Sequence, residues 1–372
     1  MTKKRVVCVV GTRPEAIKMA PVIIALRKRA YFDVKVLATG QHAAMLSQAL
    51  VFFGTEADEN LSIMRERQSL DHITASVLTG AGSYFDEIRP DAVLVHGDTT
   101  TTFASALAAF YRNIPVGHIE AGLRSGNMAL PFPEEMNRVL ADRITRWAFA
   151  PTELAKKNLL REGTPESHIY VTGNTVVDAL HFTIENKKAP SAPELLPVLD
   201  GKRFLLATMH RRESWGKPLE SVCDAIDRLL VRNPSLYVVI PMHKNPAVRE
   251  IIMEKLGNET RALLCDPLDY PDFVWCMNAS AFILSDSGGV QEEASAIHKP
   301  VLILRDVTER PEAVERGSGI LVGTDSDRII EEALKLLHDD TYFETIVGKC
   351  AANPFGNGTA AQKIADALEA DL

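Results

Sequence analysis

The sequence predicts an α/β protein made of two doubly wound domains, each a parallel sheet covered by helices. Short β-branched runs alternate with amphipathic stretches along the chain, the pattern of parallel strands joined by right-handed helical crossovers. The alternation comes in two series with a proline-rich segment between them. A length of 372 residues exceeds one ordinary domain and suits two.

The first series places strands at Arg5–Val10, Val34–Thr39, Ala92–His96, Pro115–Ile119 and His168–Val171. Helical periodicity fills intervals such as Pro14–Arg29 and Thr100–Tyr111. Lys187–Gly201, KKAPSAPELLPVLDG, has three prolines and little periodicity, and reads as a linker. The second series places strands at Arg203–Thr208, Leu236–Ile240, Ala281–Ser285 and Val301–Leu304, and Thr359–Leu372 reads as a capping helix. The expected division is a first domain over 1–186, a linker over 187–201 and a second domain over 202–356. A C-terminal helix at 357–372 is expected to pack back on the first domain.

Composition narrows the function. The chain is 46% hydrophobic and 24% charged, with a net charge of −8 and no long basic run. Bulk attraction to nucleic acid or anionic lipid is therefore not expected, and any bound phosphate must be held by local geometry. Five scattered cysteines show neither zinc nor redox spacing and fit buried thiols in a reducing compartment. The opening MTKKRVVCVVGTRPE has an apolar run of only five residues before a turn, so it reads as a first strand rather than a leader. No segment approaches the ~20 apolar residues of a membrane span. The sequence thus predicts a cytoplasmic protein, with no nucleic-acid or membrane partner and no metal or other cofactor.

Ligands of open parallel sheets bind beyond the carboxyl ends of the strands, and the unusual residues cluster there. Gly11–Pro14 follows the first strand; it is either a capped turn or a helix start that offers N–H groups to an anion, with Arg13 and Lys18 as added cations. It lacks the GxGxxG pattern, which argues against a dinucleotide. Asp286-Ser287-Gly288-Gly289 follows the strand at Ala281–Ser285. Two glycines opening a helix let a diphosphate approach the backbone, and Glu293 one turn on suits ribose hydroxyls.

Carboxylates sit at the element junctions of the first series: Asp98 in HGDTTTT, Glu120 in HIEAGLRSG, and Glu134 with Glu135 in PFPEEMNR. Acids at helix starts often serve as caps; Glu135 reads that way, whereas Asp98, Glu120 and Glu134 read as a catalytic group. His210 in TMHRRES, beside Arg211 and Arg212, fits a diphosphate clamp. His96, His118 and His243 read as structural. Tyr31 and Lys35 match the YxxxK spacing of nicotinamide-dependent epimerases, but that pair needs a helix. In a strand four residues span about 13 Å.

With these residues in view, the sequence resembles the bacterial non-hydrolysing UDP-N-acetylglucosamine 2-epimerases. It carries GTRPEAIKMAPV, HGDTTTT, GHIEAGLRSGN, PFPEEMNR, VTGNTVVDAL, HRRES, SDSGGVQEEA and ERPEAVERG in order, over essentially the whole chain. The resemblance implies a glycosyltransferase-B-like pair of Rossmann-like domains with the active site in the interdomain cleft, and a homodimer. It implies UDP-sugar contacts at Arg13, Lys18, His210, Phe273, Ser287, Gly288, Gly289, Glu293 and Arg310, with catalysis by Asp98, Glu120, Glu134 and His210. It also implies an activating second UDP-N-acetylglucosamine in many bacterial members, here at Gln41, Arg67, Glu135, Arg212 and His243. Departures from the family pattern fall at Met209, Ser295–His298, Ala44 and Leu268. Ala44 bears on the activator site.

The C2 hydrogen of the substrate is not acidic, because C2 carries no carbonyl. The family's route is elimination of UDP to 2-acetamidoglucal, then re-addition with protonation on the opposite face. That chemistry asks for acids on both faces and for cations on the departing diphosphate. A glycosyltransferase of the same architecture, a hydrolysing epimerase, an epimerase of a UDP-diacetamido-uronic acid and a non-catalytic UDP-sugar sensor are the rival readings.

Overall fold

The computed structural model describes residues 3–40, 43–65, 68–198, 201–211, 214–307, 314–315, 317, 319–350 and 353–372. The chain divides into two compact units. One comprises Met1–Ala179 with Phe355–Leu372, the other Leu180–Pro354.

In the first unit, strands β1 (Lys4–Val10), β2 (Phe32–Ala38), β3 (Glu59–Asn60), β4 (Ala92–His96), β5 (Val116–Ile119), β6 (Trp147–Ala150) and β7 (Ile169–Val171) form one sheet in the order β3-β2-β1-β4-β5-β6-β7. Every pairing is parallel. Helices α1 (Arg13–Arg27), α2 (Ala43–Phe52), α3 (Leu70–Ile88), α4 (Thr100–Phe110), α5 (Glu134–Arg143) and α6 (Glu153–Arg161) supply the crossovers, and α7 (Thr175–Asn186) follows β7. Val6–Val10 are almost wholly buried, as the near-continuous apolar run of a doubly covered central strand requires. The chain runs outward from β1 to β3 and then returns beside β1 with β4. The sheet therefore changes direction between β1 and β4, the point at which such sheets bind ligands.

The second unit repeats the plan. Strands β8 (Phe204–Thr208), β9 (Tyr237–Pro241), β10 (Ala262–Cys265), β11 (Ile283–Ser285), β12 (Val301–Ile303) and β13 (Gly319–Leu321) form a parallel sheet ordered β10-β9-β8-β11-β12-β13. Helices α8 (Lys217–Arg232), α9 (Pro246–Leu256), α10 (Tyr270–Ala279) and α11 (Gly288–Ala296) lie among its connections. Its switch point falls between β8 and β11, where Thr208 pairs with Ser285.

Three features extend the sequence reading. β3, of two residues only, and β6, β10 and β13 were not among the expected strands. Trp-Ala-Phe-Ala and Ala-Leu-Leu-Cys have no β-branched residue, and Gly-Ile-Leu is a short edge strand. Within the proline-rich segment, Pro193–Val198 form a 3₁₀ turn that buries Leu195 and Val198. Asp272 of α10 accepts the N–H groups of Ser191 and Ala192 and pairs with Lys187 Nζ at 2.9 Å.

The C-terminal helix, Ala360–Asp371, packs on α1 in the first unit. Asp178 caps it by accepting the N–H groups of Ala360 and Ala361. Arg29 binds Asp366 and Glu369, and Asp371 accepts from Trp147 Nε1 and Tyr170 Oη. Among the described residues no helix is long and apolar enough to cross a membrane.

Candidate active site

The loops leaving β1, β4 and β5 of the first unit carry the acid cluster. Thr12 caps α1, and Glu15 closes a capping box by accepting from Gly11 N and Thr12 N at 2.8 and 2.7 Å. Those two N–H groups are thus satisfied from within, as a capped turn requires. Glu15 also accepts from Thr99 and Thr102, which ties the start of α1 to the start of α4. Burial pushes the Glu15 carboxyl up, against the pull of these hydrogen bonds.

One turn into α1, Lys18 Nζ donates to Glu120 Oε1 at 2.7 Å. Asn174 Nδ2 donates to the same oxygen at 2.9 Å, and the other oxygen faces His96 Nδ1 at 3.8 Å. His96 is buried and therefore held neutral, its pKa driven down to about 3 by desolvation. Glu120 has φ +71°, and it is the one non-glycine residue at positive φ, among those described, that is not exposed. Backbone held in that region away from a surface turn marks functional loops.

Asp98 lies beside this group. Its Oδ2 accepts from Arg138 Nη1 at 3.2 Å, and Asn137 Nδ2 donates to its carbonyl. Burial raises the Asp98 pKa, and the negative charges of Glu120 and Glu134 add to the rise; Arg138 and Lys18 oppose it. The first unit thus brings Asp98, Glu120 and Glu134 within electrostatic reach of one another. Glu134 opens α5 behind Pro133.

Glu135, one residue on, has a different setting. It is buried, accepts from the N–H groups of Ser125 and Gly126, and pairs with Arg138. Burial works against its charge, but these donors outweigh it and hold the carboxyl low. Arg13 occupies the first helical position of α1.

In the second unit, the loops after β8 and β11 meet through Asp286. This fully buried carboxylate accepts from His210 N and Arg211 N, and from His210 Nδ1 at 3.0 Å. Burial opposes its ionisation, yet His210 and the two backbone N–H groups pull its pKa below the usual range. The imidazole of His210 is thereby oriented, as an Asp orients a catalytic His. Ser287 caps α11 without spending its hydroxyl on a capping bond. An added Cβ at Gly289 would meet only Ser287 Oγ, at 3.9 Å. Among the described residues no packing requires glycine there, which fits close approach by another group.

Glu293 is buried and accepts from Tyr270 Oη at 2.9 Å. Phe273 lies in the first turn of α10, its N–H bonded to Asp269 O. His243 is exposed, with Nδ1 accepting from Asn245 N. Gln41, Arg67, Arg212 and Arg310 lie outside the described residues. Among the described residues there is no group of three or more His, Cys, Asp or Glu able to hold a metal ion.

Sequence reasoning missed Arg138, Asn174 and Asp286. Arg138 and Asn174 sit inside quoted motifs, PFPEEMNR and VTGN, but their partners come from distant loops. Asp286 was noted only as the residue before the glycines. Taken together, the first unit provides carboxyl groups in contrasting environments, and the second an oriented histidine beside an open helix start.

A family model described as UDP-N-acetylglucosamine 2-epimerase matches residues 24–369. The chain is 47% identical to the UDP-N-acetylglucosamine 2-epimerase of Salmonella typhimurium, over 98% of each chain. Among solved structures, a UDP-GlcNAc 2-epimerase from Neisseria meningitidis bound to UDP-GlcNAc is 45% identical, with a TM-score of 0.89, covering 98% of this chain and 100% of that one. A Methanocaldococcus jannaschii UDP-GlcNAc 2-epimerase in complex with UDP-GlcNAc and UDP is 33% identical, with a TM-score of 0.79, covering 98% and 99%. Identity at this level along the full length, on the same two-sheet architecture, places the chain in the UDP-N-acetylglucosamine 2-epimerase family.

Proposed function

We propose that the protein reversibly inverts C2 of UDP-N-acetylglucosamine, giving UDP-N-acetylmannosamine, through 2-acetamidoglucal. A base removes the C2 proton, the C–H electron pair forms the C1–C2 double bond, and the C1–O bond breaks with its pair leaving on UDP. UDP oxygen then adds back at C1 while an acid delivers a proton to the other face of C2. Atoms and charge balance without an oxidant or a second substrate.

The observation that carries this reading is the contrast between two neighbouring carboxyls. Glu120 is ion-paired to Lys18, whereas burial and the charge of Glu120 push Asp98 toward its protonated form. A carboxyl pushed toward its protonated form beside one that accepts from Lys18 and Asn174 offers a proton donor next to a proton acceptor. Asp98 and Glu134 are assigned to proton transfer at C2, and Glu120 to positioning or transfer. Arg13, His210 and Ser287–Gly289 are assigned to the departing diphosphate, whose negative charge grows in the transition state.

An NMR time course on UDP-N-acetylglucosamine alone tests the proposal. The manno epimer should accumulate to an equilibrium ratio that is also reached from the manno side. A transferase would leave the sugar unchanged without an acceptor, and a hydrolysing enzyme would release free N-acetylmannosamine.

A further inference from the structure

A chain of mostly buried charges, Glu162, Arg124, Asp142 and His118, lies behind the loops that carry Asp98 and Glu120. His118 of β5 is fully buried. Its Nε2 donates to the carbonyl of Gly97 at 2.7 Å, and its Nδ1 donates to Asp142 Oδ1 at 2.6 Å. The other oxygen of Asp142 accepts from Gly122 N at 3.1 Å and from Arg124 Nη2 at 2.7 Å. Arg124 in turn pairs with Glu162.

A backbone carbonyl only accepts, and an Asp142 that faces both Arg124 and a backbone N–H is a carboxylate. A neutral imidazole has one donor and one acceptor, so two acceptors require the imidazolium. The electrostatics agree. Burial disfavours charge on His118, but Asp142 outweighs it and raises the pKa; His118 and Arg124 likewise overcome burial and lower that of Asp142. His96, the other titratable ring nearby, stays neutral and adds no charge.

Buried ionic chains contribute little net stability, and apolar replacements of similar volume often do as well. What this one supplies is geometry. Gly97 O belongs to the peptide just ahead of Asp98, and Gly122 N lies two residues past Glu120. The two loops are close: a Cβ on Gly97 would stand 3.5 Å from Glu120 Oε2.

We propose that His118 and Asp142 are positioning residues for the C2 reaction, locking the peptide before Asp98 to the turn after Glu120 at the separation proton transfer needs. The inference rests on the C2-inversion reading above.

Wild type, His118→Gln and Asp142→Asn are compared for kcat and KM on UDP-N-acetylglucosamine and for UDP affinity by calorimetry. Histidine-¹⁵N NMR of the wild type reads the ring of His118. Because a shift near 1 Å in a reacting group can cost 10²-fold, kcat should fall about 10- to 100-fold in each variant. KM and UDP affinity should stay near wild type, and both His118 nitrogens should be protonated at pH 7.5. Unchanged kcat in both variants, a loss seen equally in UDP affinity, or a neutral His118 ring would overturn the proposal. If a variant does not fold, Arg124→Gln, one step along the chain, carries the same kcat comparison. A wild type that makes no manno epimer would instead remove the C2-inversion reading, and the positioning role with it.

Discussion

Lys18 Nζ stands 2.7 Å from Glu120 Oε1, joining the helix after β1 to the loop after β5 across 102 residues of sequence. Both side chains are largely buried. The ammonium therefore acts in a low-dielectric setting, where its hydrogen bond holds the orientation of Glu120.

Glu120→Gln removes the charge and keeps the shape. Turnover should fall by about 10²-fold or more, the usual worth of a proton-handling group. UDP affinity measured by calorimetry should remain near wild type. Turnover equal to wild type would take Glu120 out of the reacting set.

The same variant should move a pH limb. The charge of Glu120 contributes to the raised pKa of Asp98, so removing it lowers that pKa. The limb of kcat/KM governed by Asp98 should shift to lower pH in Glu120→Gln, and should vanish in Asp98→Asn. A shift to higher pH would contradict the coupling of these carboxyls.

Asp286→Asn unties His210 from its buried anchor. UDP affinity should weaken about tenfold, or 1.4 kcal/mol. Stability has a definite sign as well. The folded-state pKa of Asp286 lies below its ordinary value of 3.8. Its stabilising contribution is therefore full above that value and is lost as pH falls through the folded-state pKa. The difference in Tm between wild type and Asp286→Asn should be large at pH 7 and should shrink in acid below pH 3.8.

Asp178→Ala removes the cap from the C-terminal helix, leaving the N–H groups of Ala360 and Ala361 without it. Loss of such a cap costs about 1 kcal/mol. Denaturant melts should show that loss, while kcat at 25 °C stays near wild type because Asp178 is not assigned to the reaction.

Much of this architecture is legible in sequence, for physical reasons that also mark where legibility stops. β1 announces itself because Val-Val-Cys-Val-Val is buried on both faces. β6 does not, since Trp-Ala-Phe-Ala lacks the β-branched residues that distinguish a strand from a buried helix turn. Asp98, Glu120, His210 and Ser287 stand out in the sequence by position, because ligands of open parallel sheets bind beyond the strand carboxyl ends.

Their partners are another matter. Arg138 reaches Asp98 across 40 residues, Asn174 reaches Glu120 across 54, and Asp286 reaches His210 across 76. No local periodicity encodes such pairs. The Thr12–Glu15 capping box, by contrast, is a local contact within four residues, and it explains why the Gly11 turn is closed from within.

The central claim is that C2 loses and regains a proton on the enzyme. Equilibrating UDP-N-acetylglucosamine with the protein in D₂O and recovering both epimers tests it directly by NMR. The account predicts one solvent-derived deuterium at C2 of each. Epimers interconverted to equilibrium with C2 still carrying the original hydrogen would contradict it.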